Sequence, residues 1–265
     1  MCTLAIYYHA IPEWPVIVAA NRDEFLERPT VDPTTLLEQP HVVGGKDLRA
    51  GGTWLGISEF GLIAGLLNRR ASGAPNPVAR SRGLLCLDAL SQRTIREAVD
   101  LVRAQCGENY NPFNLLLASR DEAWVACNRG DQIELIQLKP GLHMLSNLNV
   151  NDPECPKISR AYQRFAGLAA KPEFRTEPVV YRHELAALLA DHSTQLDTSD
   201  ENGSRPNNAL CLHLGNYGTR SSSLIFVGAA PERIEHFFAP GPPCTTGYSV
   251  ALVPRRASAA NQDSR

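Results

Sequence analysis

Two stretches decide how this chain is read: MCTLAI (residues 1–6) and VAANRDEF (residues 18–25). Apolar runs at residues 4–8 and 15–20, joined across Ile11-Pro12-Glu13-Trp14, have the composition of two strands in a tight hairpin. In an antiparallel pair the start of the first strand lies beside the end of the second. The hairpin therefore sets Cys2 within side-chain reach of Asn21, Arg22, Asp23 and Glu24, the polar tetrad that ends the run VIVAA.

That neighbourhood matters because of what precedes Cys2. Cysteine is small enough for Met1 to be removed in front of it, which leaves a free α-amine on Cys2. A free thiol has a pKa near ~8.5 and is mostly protonated at neutral pH. An α-amine titrates at roughly 7.7–8.0 and can serve as base for its own side chain. One residue then supplies both nucleophile and base. A carboxylate of the tetrad can hold the amine, and its arginine can favour thiolate or bind a substrate carboxylate.

The remaining composition excludes several classes. Lys and Arg number 26 against 28 Asp and Glu, for a net charge of −2, so no global basic field points to nucleic acid and no polybasic signal to a membrane surface. No apolar run approaches the ~20 residues of a membrane-spanning helix. The N-terminus lacks a basic region of the signal-peptide kind, so a cytoplasmic protein is expected. The seven cysteines are odd in number and never spaced C-x-x-C, so neither a disulfide framework nor a metal site is expected, and no cofactor is. His9, His143 and His213 stand singly in apolar strands and read as packed histidines. The Rossmann glycine fingerprint, the Walker loop and the G-x-S-x-G elbow are all absent.

Outward from the first hairpin, residues 29–40 hold three prolines and read as irregular loop. A second hairpin follows Gly51-Gly52: TWLGIS, the turn EFG, then LIAGLL ending at Asn68. Residues 81–91 and 94–106 carry helical spacing, with Leu84, Leu87 and Leu90 on one face and Ile95, Val99 and Val102 on another. Strands are expected at 113–118, 123–127, 133–138 and 141–147, helices at 158–169 and 181–191, and late strands at 209–214, 223–227 and 234–238. Residues 194–208 read as a mobile polar loop, and 256–265 as a flexible tail behind a single domain over 1–255. Strands in tight-turned blocks alternating with blocks of helices argue for antiparallel α+β layers rather than a doubly wound parallel sheet.

MCTLAI, AANRDEF, GGKDLRAGGTWLGISEFG, LSN and YGTRSSSLIFV occur in the order found in the NRDE family, also called the transport-and-Golgi-organisation family, and over about residues 1–230 the chain resembles it. That family resembles a branch of the N-terminal-nucleophile hydrolases, which implies a four-layer αββα sandwich with two mainly antiparallel sheets. The start is also similar to that of bile-salt hydrolases and penicillin V acylases, cysteine-type amidases. By motif position the resemblance makes Cys2 the nucleophile, Asp23 the residue that orients its amine, Asn147 the oxyanion donor, Asn68 a second amide near the thiol, and Arg220 a late-strand arginine beside it. Asn21, Arg22, Glu24, Trp54 and Thr219 are expected to contact substrate. One departure stands out: those amidases carry an arginine three residues before the aspartate, where this chain has Ala20, with Arg22 directly before Asp23.

Two functions follow. The first is an amidohydrolase or acyltransferase acting on the C–N bond of a small-molecule substrate. The second is a ligand-binding or trafficking protein without turnover, with haem as the candidate ligand. Asparagines that cap turns and arginines on loops explain the same residues structurally, so the enzyme reading rests on Cys2 and the tetrad acting together.

Overall fold

The structure, a computed structural model, describes residues 2–70, 73–194, 208–230 and 232–255. The polar loop expected at 194–208, apart from its two end residues, and the expected tail lie outside the described residues.

The first hairpin forms, and its strands run further than the apolar runs alone. β1 (Thr3–Ile11) pairs with β2 (Trp14–Phe25) in a register from Thr3↔Asn21 to Tyr8↔Val16. The tetrad lies within β2 itself. Asn21, Arg22 and Asp23 are strand residues, and all three are buried. Pairing continues because β12 (Tyr217–Val227) lies on the other side of β2 along its whole length, from Phe25↔Tyr217 to Val16↔Val227. Polar side chains stay in the ladder where a partner strand satisfies them.

Between the hairpins the reading of residues 29–40 is corrected. β3 (Thr30–Glu38) is an extended strand, paired to β4 (His41–Asp47) with irregularities at Val31/Thr34 and Thr35/Leu37. It forms an edge of its sheet, the position where a proline's missing N–H is tolerated. The second hairpin is β5 (Thr53–Ser58) with β6 (Ile63–Asn68), and Asn68 is its last strand residue. α1 (Arg82–Leu90) and α2 (Ile95–Arg103) follow, the latter opened by a capping box between Thr94 and Glu97. α1 buries Leu85, Cys86, Ala89 and Leu90, a face rotated from the Leu84/Leu87 stripe expected, whereas α2 buries Ile95, Val99 and Val102 as expected.

β7 (Phe113–Ala118), β8 (Ala123–Asn128), β9 (Ile133–Gln137) and β10 (Gly141–Leu145) fall close to their expected positions. α3 (Pro156–Ala169), the short α4 (Pro172–Thr176) and α5 (Arg182–Leu189) come next. Only His213–Leu214 (β11) of the expected 209–214 strand is paired. β13 (Ile234–Ala239) and β14 (Ser249–Val250) complete the sheet that holds β1 and β2.

The strands form two seven-stranded antiparallel sheets, one in the order β10-β1-β2-β12-β13-β14 with β11 beside β12, the other β3 to β9 in sequence order. Alternation along each strand divides the core in three. Leu4, Ile6, Val16 and Val18 of one sheet meet Leu55, Ile57, Ile63 and Leu116 of the other. Tyr7, Ile17 and Phe226 face Phe165 of α3 and Leu185 and Leu189 of α5. Ala64, Leu115 and Leu117 face Leu85 and Val99. The order is therefore helices, sheet, sheet, helices, an α+β sandwich in four layers. Each buried aliphatic or aromatic side chain contributes roughly 1.5–3 kcal/mol, so the interior of both sheets anchors the strand ends that carry polar residues.

Candidate active site

The site begins with two glycines. A Cβ on Gly45 would sit 2.2 Å from the Trp54 ring, and one on Gly44 would sit 2.5 Å from the Leu55 carbonyl. Glycine at 45 lets the indole lie across β4. The Arg22 guanidinium then stacks over that indole, 4.2 Å from the ring centroid. Arg22 is 7% exposed, within reach of Asp47 at 3.6 Å and Glu24 at 4.0 Å. Asp47 is fixed in turn by Arg28 Nε at 2.7 Å and by the backbone N–H groups of Arg49 and Ala50. Burial works upward on the Asp47 carboxyl, but these donors outweigh it and hold it below the ordinary carboxylate range.

Strand register delivers Cys2 to this group. Just before the Thr3↔Asn21 pair that ends the register, Cys2 lies against the Asp23 backbone at the polar end of β2. Its Sγ accepts the Asp23 backbone N–H at 3.3 Å. Burial first, then the Asp23 carboxylate, push the thiol above its ordinary value, while the Asp23 N–H and Arg22 pull the other way. The resting form is therefore the thiol, and a base is needed to make it a nucleophile. Ala20 lies on the same face of β2 as Arg22, one row further in, and both line the pocket around Cys2. The Arg22 guanidinium thus enters the site from the face that position 20 shares.

Asp23 points to the opposite face of β2, toward α3 and β12. Its Oδ1 accepts the Thr219 hydroxyl at 2.7 Å, and its Oδ2 lies 3.6 Å from Lys157 Nζ. The Tyr217 hydroxyl donates to the Asp23 carbonyl at 3.3 Å, and burial raises the Tyr217 phenol so that it stays a donor. Lys157 was not foreseen. A lysine in the first turn of an amphipathic helix reads as solvated, and only its neighbour Ile158 carries the apolar signal.

The other expected residues divide. Glu24, Trp54 and Asn68 line one cleft of about 630 Å³ together with Cys2, Arg22 and Asp23. Asn147 lies two residues past Leu145, the end of β10 that pairs with Leu4 of β1, and is not among the residues that line the cleft. Its carbonyl accepts the Arg70 N–H, and Asn114 and Arg69 brace the adjoining segment through the Leu148 carbonyl. The Asn147 side-chain oxygen is buried and has no hydrogen-bond partner among the described residues. The Asn21 and Thr219 side chains are hydrogen-bonded within the fold, and Asn21 also lines the pocket around Cys2. Asn21 donates to the carbonyls of Leu189 and Leu210 and accepts from Ser222, and Thr219 is fully buried between Asp23 and the Leu212 N–H. Arg220 occupies the bulge where Thr219 faces Asp23 and Ser221 faces Arg22, and is not among the residues that line the cleft.

The cleft wall is rich in cations that sequence reading did not gather: Arg28, Arg49, Arg80 and Arg82 join Arg22. Arg28 is paired with Asp47 and Arg80 with Asp88. Arg82 donates to the Pro112 carbonyl and makes no ion pair among the described residues. Its signal, the short run Arg80-Ser81-Arg82, is too common on surfaces to have been singled out.

Helices on the outer faces of two antiparallel sheets, with a cysteine entering on an inner strand, define the fold of the N-terminal-nucleophile hydrolases. The chain belongs to the Transport and Golgi organisation 2 family, which matches residues 1–235. It is 33% identical over 231 residues to the Transport and Golgi organization protein 2 homolog of Bos taurus, covering 81% of this chain and 82% of that one. Its fold superposes on a Caenorhabditis elegans N-acylethanolamine-hydrolyzing acid amidase ortholog with a TM-score of 0.56 and 16% identity, over 84% of this chain and 92% of the other. It also matches penicillin V acylase from Agrobacterium tumefaciens, TM-score 0.55 at 15% identity, over 96% and 84%. At such identities the likeness is one of fold. Among the described residues no helix is long and apolar enough to cross a membrane.

Proposed function

We propose that this protein is a cysteine amidohydrolase or acyltransferase that acts on the C–N bond of a small molecule carrying an anionic group. The observation that carries this reading is the Cys2 thiol, 3.3 Å from the Asp23 N–H at the head of an arginine-lined cleft. With Met1 removed, the Cys2 α-amine takes the thiol proton and the thiolate attacks the amide carbonyl. The Asn147 amide, with Asn68 nearer the mouth, donates to the oxyanion, a contribution of about 3–4 kcal/mol for a preorganised donor. The ammonium then protonates the leaving nitrogen, and water or a second amine resolves the thioester. Asp23, held by Thr219 and Lys157, keeps the amine in place. Cleft arginines receive the anionic group of the substrate.

Acyl trapping tests the reading. Native protein is incubated with an activated acyl ester, quenched in acid and digested. A thioester confined to Cys2, on chains lacking Met1, and absent from Cys2→Ala is the expected outcome. Retained Met1, or equal labelling of Cys2→Ala, would sink the proposal.

The same cleft supports a second reading in which an anionic ligand is held without turnover. The relatives' name, with its reference to transport, is compatible with that role. Among the described residues the cleft lining contains no histidine, so Cys2 is the residue there that could hold a haem iron. A Soret shift lost in Cys2→Ala would favour carriage, and no shift on titration would remove it.

A further inference from the structure

Away from the cleft, four side chains with metal-binding atoms converge from separate parts of the chain. His192 follows α5, Cys211 and His213 flank Leu212 as the chain enters β11, and Cys244 lies in the loop after β13. One ligand atom from each lies within 4.8 Å of the other three. Cys211 Sγ is 3.6 Å from Cys244 Sγ, and His213 Nε2 is 3.2 Å from Cys244 Sγ. The two imidazole rings lie side by side with centroids 5.2 Å apart.

Those spacings are the edges of a small tetrahedron. Zinc with Zn–S of about 2.3 Å and Zn–N of about 2.0–2.1 Å places two sulfurs roughly 3.8 Å apart and sulfur and nitrogen roughly 3.5 Å apart. The outer shell agrees. His192 Nδ1 is 3.0 Å from the Cys211 carbonyl oxygen. A ring N–H donated there leaves Nε2 with the lone pair, the arrangement that metal-bound histidines adopt. Cys211 is buried, whereas His192, His213 and Cys244 are exposed, which gives an ion a route in.

We propose that His192, Cys211, His213 and Cys244 form a structural zinc site. Two thiolates and two imidazoles suit zinc rather than magnesium or calcium, and four protein ligands leave no open position for catalysis. The position gives the site a role. Leu212, between two of the ligands, donates its N–H to Thr219 Oγ1 at 2.9 Å and accepts the Thr219 N–H at 2.9 Å. Thr219 holds Asp23. The ion therefore locks the backbone that fixes the strand behind Asp23. The sequence hides this site because only Cys211-Leu212-His213 is local, while the other two ligands lie 19 and 33 residues from Cys211.

The test loads the full chain with Zn²⁺ under reducing conditions, desalts it extensively and measures bound metal. Co²⁺ loading is followed by absorption in parallel. One zinc per chain is expected, with tetrahedral d–d bands and a thiolate charge-transfer band for cobalt. Cys244→Ser and His192→Gln, both at exposed positions, should lower zinc affinity by more than about tenfold, since outer-shell changes alone cost ~10–100-fold. Cys106→Ser, which alters another exposed cysteine, should leave it unchanged. Wild-type protein without zinc after loading, equal affinity in the ligand variants, or a Cys211–Cys244 disulfide that persists under reductant in place of metal would overturn the assignment.

Discussion

Lys157 Nζ stands 3.6 Å from Asp23 Oδ2, and neither side chain reaches solvent. This contact ties the first turn of α3 to the tetrad strand. A buried ion pair of this kind adds little net stability over apolar residues, but breaking one side leaves an uncompensated charge. Lys157→Met is expected to cost about 3–5 kcal/mol in urea unfolding. The double variant Asp23→Asn/Lys157→Met should recover most of that loss. If single and double variants unfold alike, the pair has no energetic coupling.

Thr219 is the hinge between that carboxylate and the Leu212 N–H. Thr219→Val keeps the shape and removes the hydroxyl, leaving a buried donor and a buried acceptor each short of one bond. Each such loss costs about ~1–3 kcal/mol. A fall in unfolding free energy of that order should accompany slower acylation of Cys2, because Asp23 loses one of its constraints. Unchanged stability with unchanged acylation would show that Thr219 positions nothing.

The hairpins were legible because alternation and turn chemistry act locally. VIVAA, TWLGIS and LIAGLL carry their strands whatever surrounds them, and antiparallel geometry then places Cys2 beside the tetrad. Non-local pairing was not legible. Residues 29–40 look like loop by proline content, yet their place at a sheet edge makes them β3. The apolar signal of the second strand stops at Ala20, yet β12 pairs with the tetrad and carries β2 through it to Phe25. The histidine reading failed for the same reason: His213 is exposed beside Cys244, a neighbour 31 residues away. Lys157 and Arg82 likewise acquire meaning only when the helices fold back over the sheets.

His236 gives the fold a dependence on acid. It is 4% exposed, and burial lowers its imidazole to about 4. An unfolded histidine titrates near ~6.5, so between these values the unfolded chain binds more protons and stability rises with pH. The contribution is complete above about 6.5 and is lost as pH falls toward about 4, a change of about 3 kcal/mol. His236→Leu should flatten that limb, with the loss between pH 7 and pH 4 smaller by about this amount. Parallel curves for the two proteins would show that the histidine is hydrated in the folded state.

Arg22 makes the last prediction, because it is the cation near the Cys2 thiol. Burial and the Asp23 carboxylate raise the Cys2 thiol, and Arg22 opposes them. Alkylation of Cys2 by iodoacetamide should accordingly climb with pH and reach half its maximum above the ordinary thiol value. Arg22→Met keeps apolar contact with Trp54 but removes the charge, and Asp47 retains Arg28 at 2.7 Å. The profile should move further alkaline, and the rate at pH 7 should fall. Each full step of one pH unit in the midpoint is worth about tenfold in thiolate fraction. A variant whose profile overlays that of the native protein would show that the guanidinium serves the substrate alone and leaves the thiol untouched.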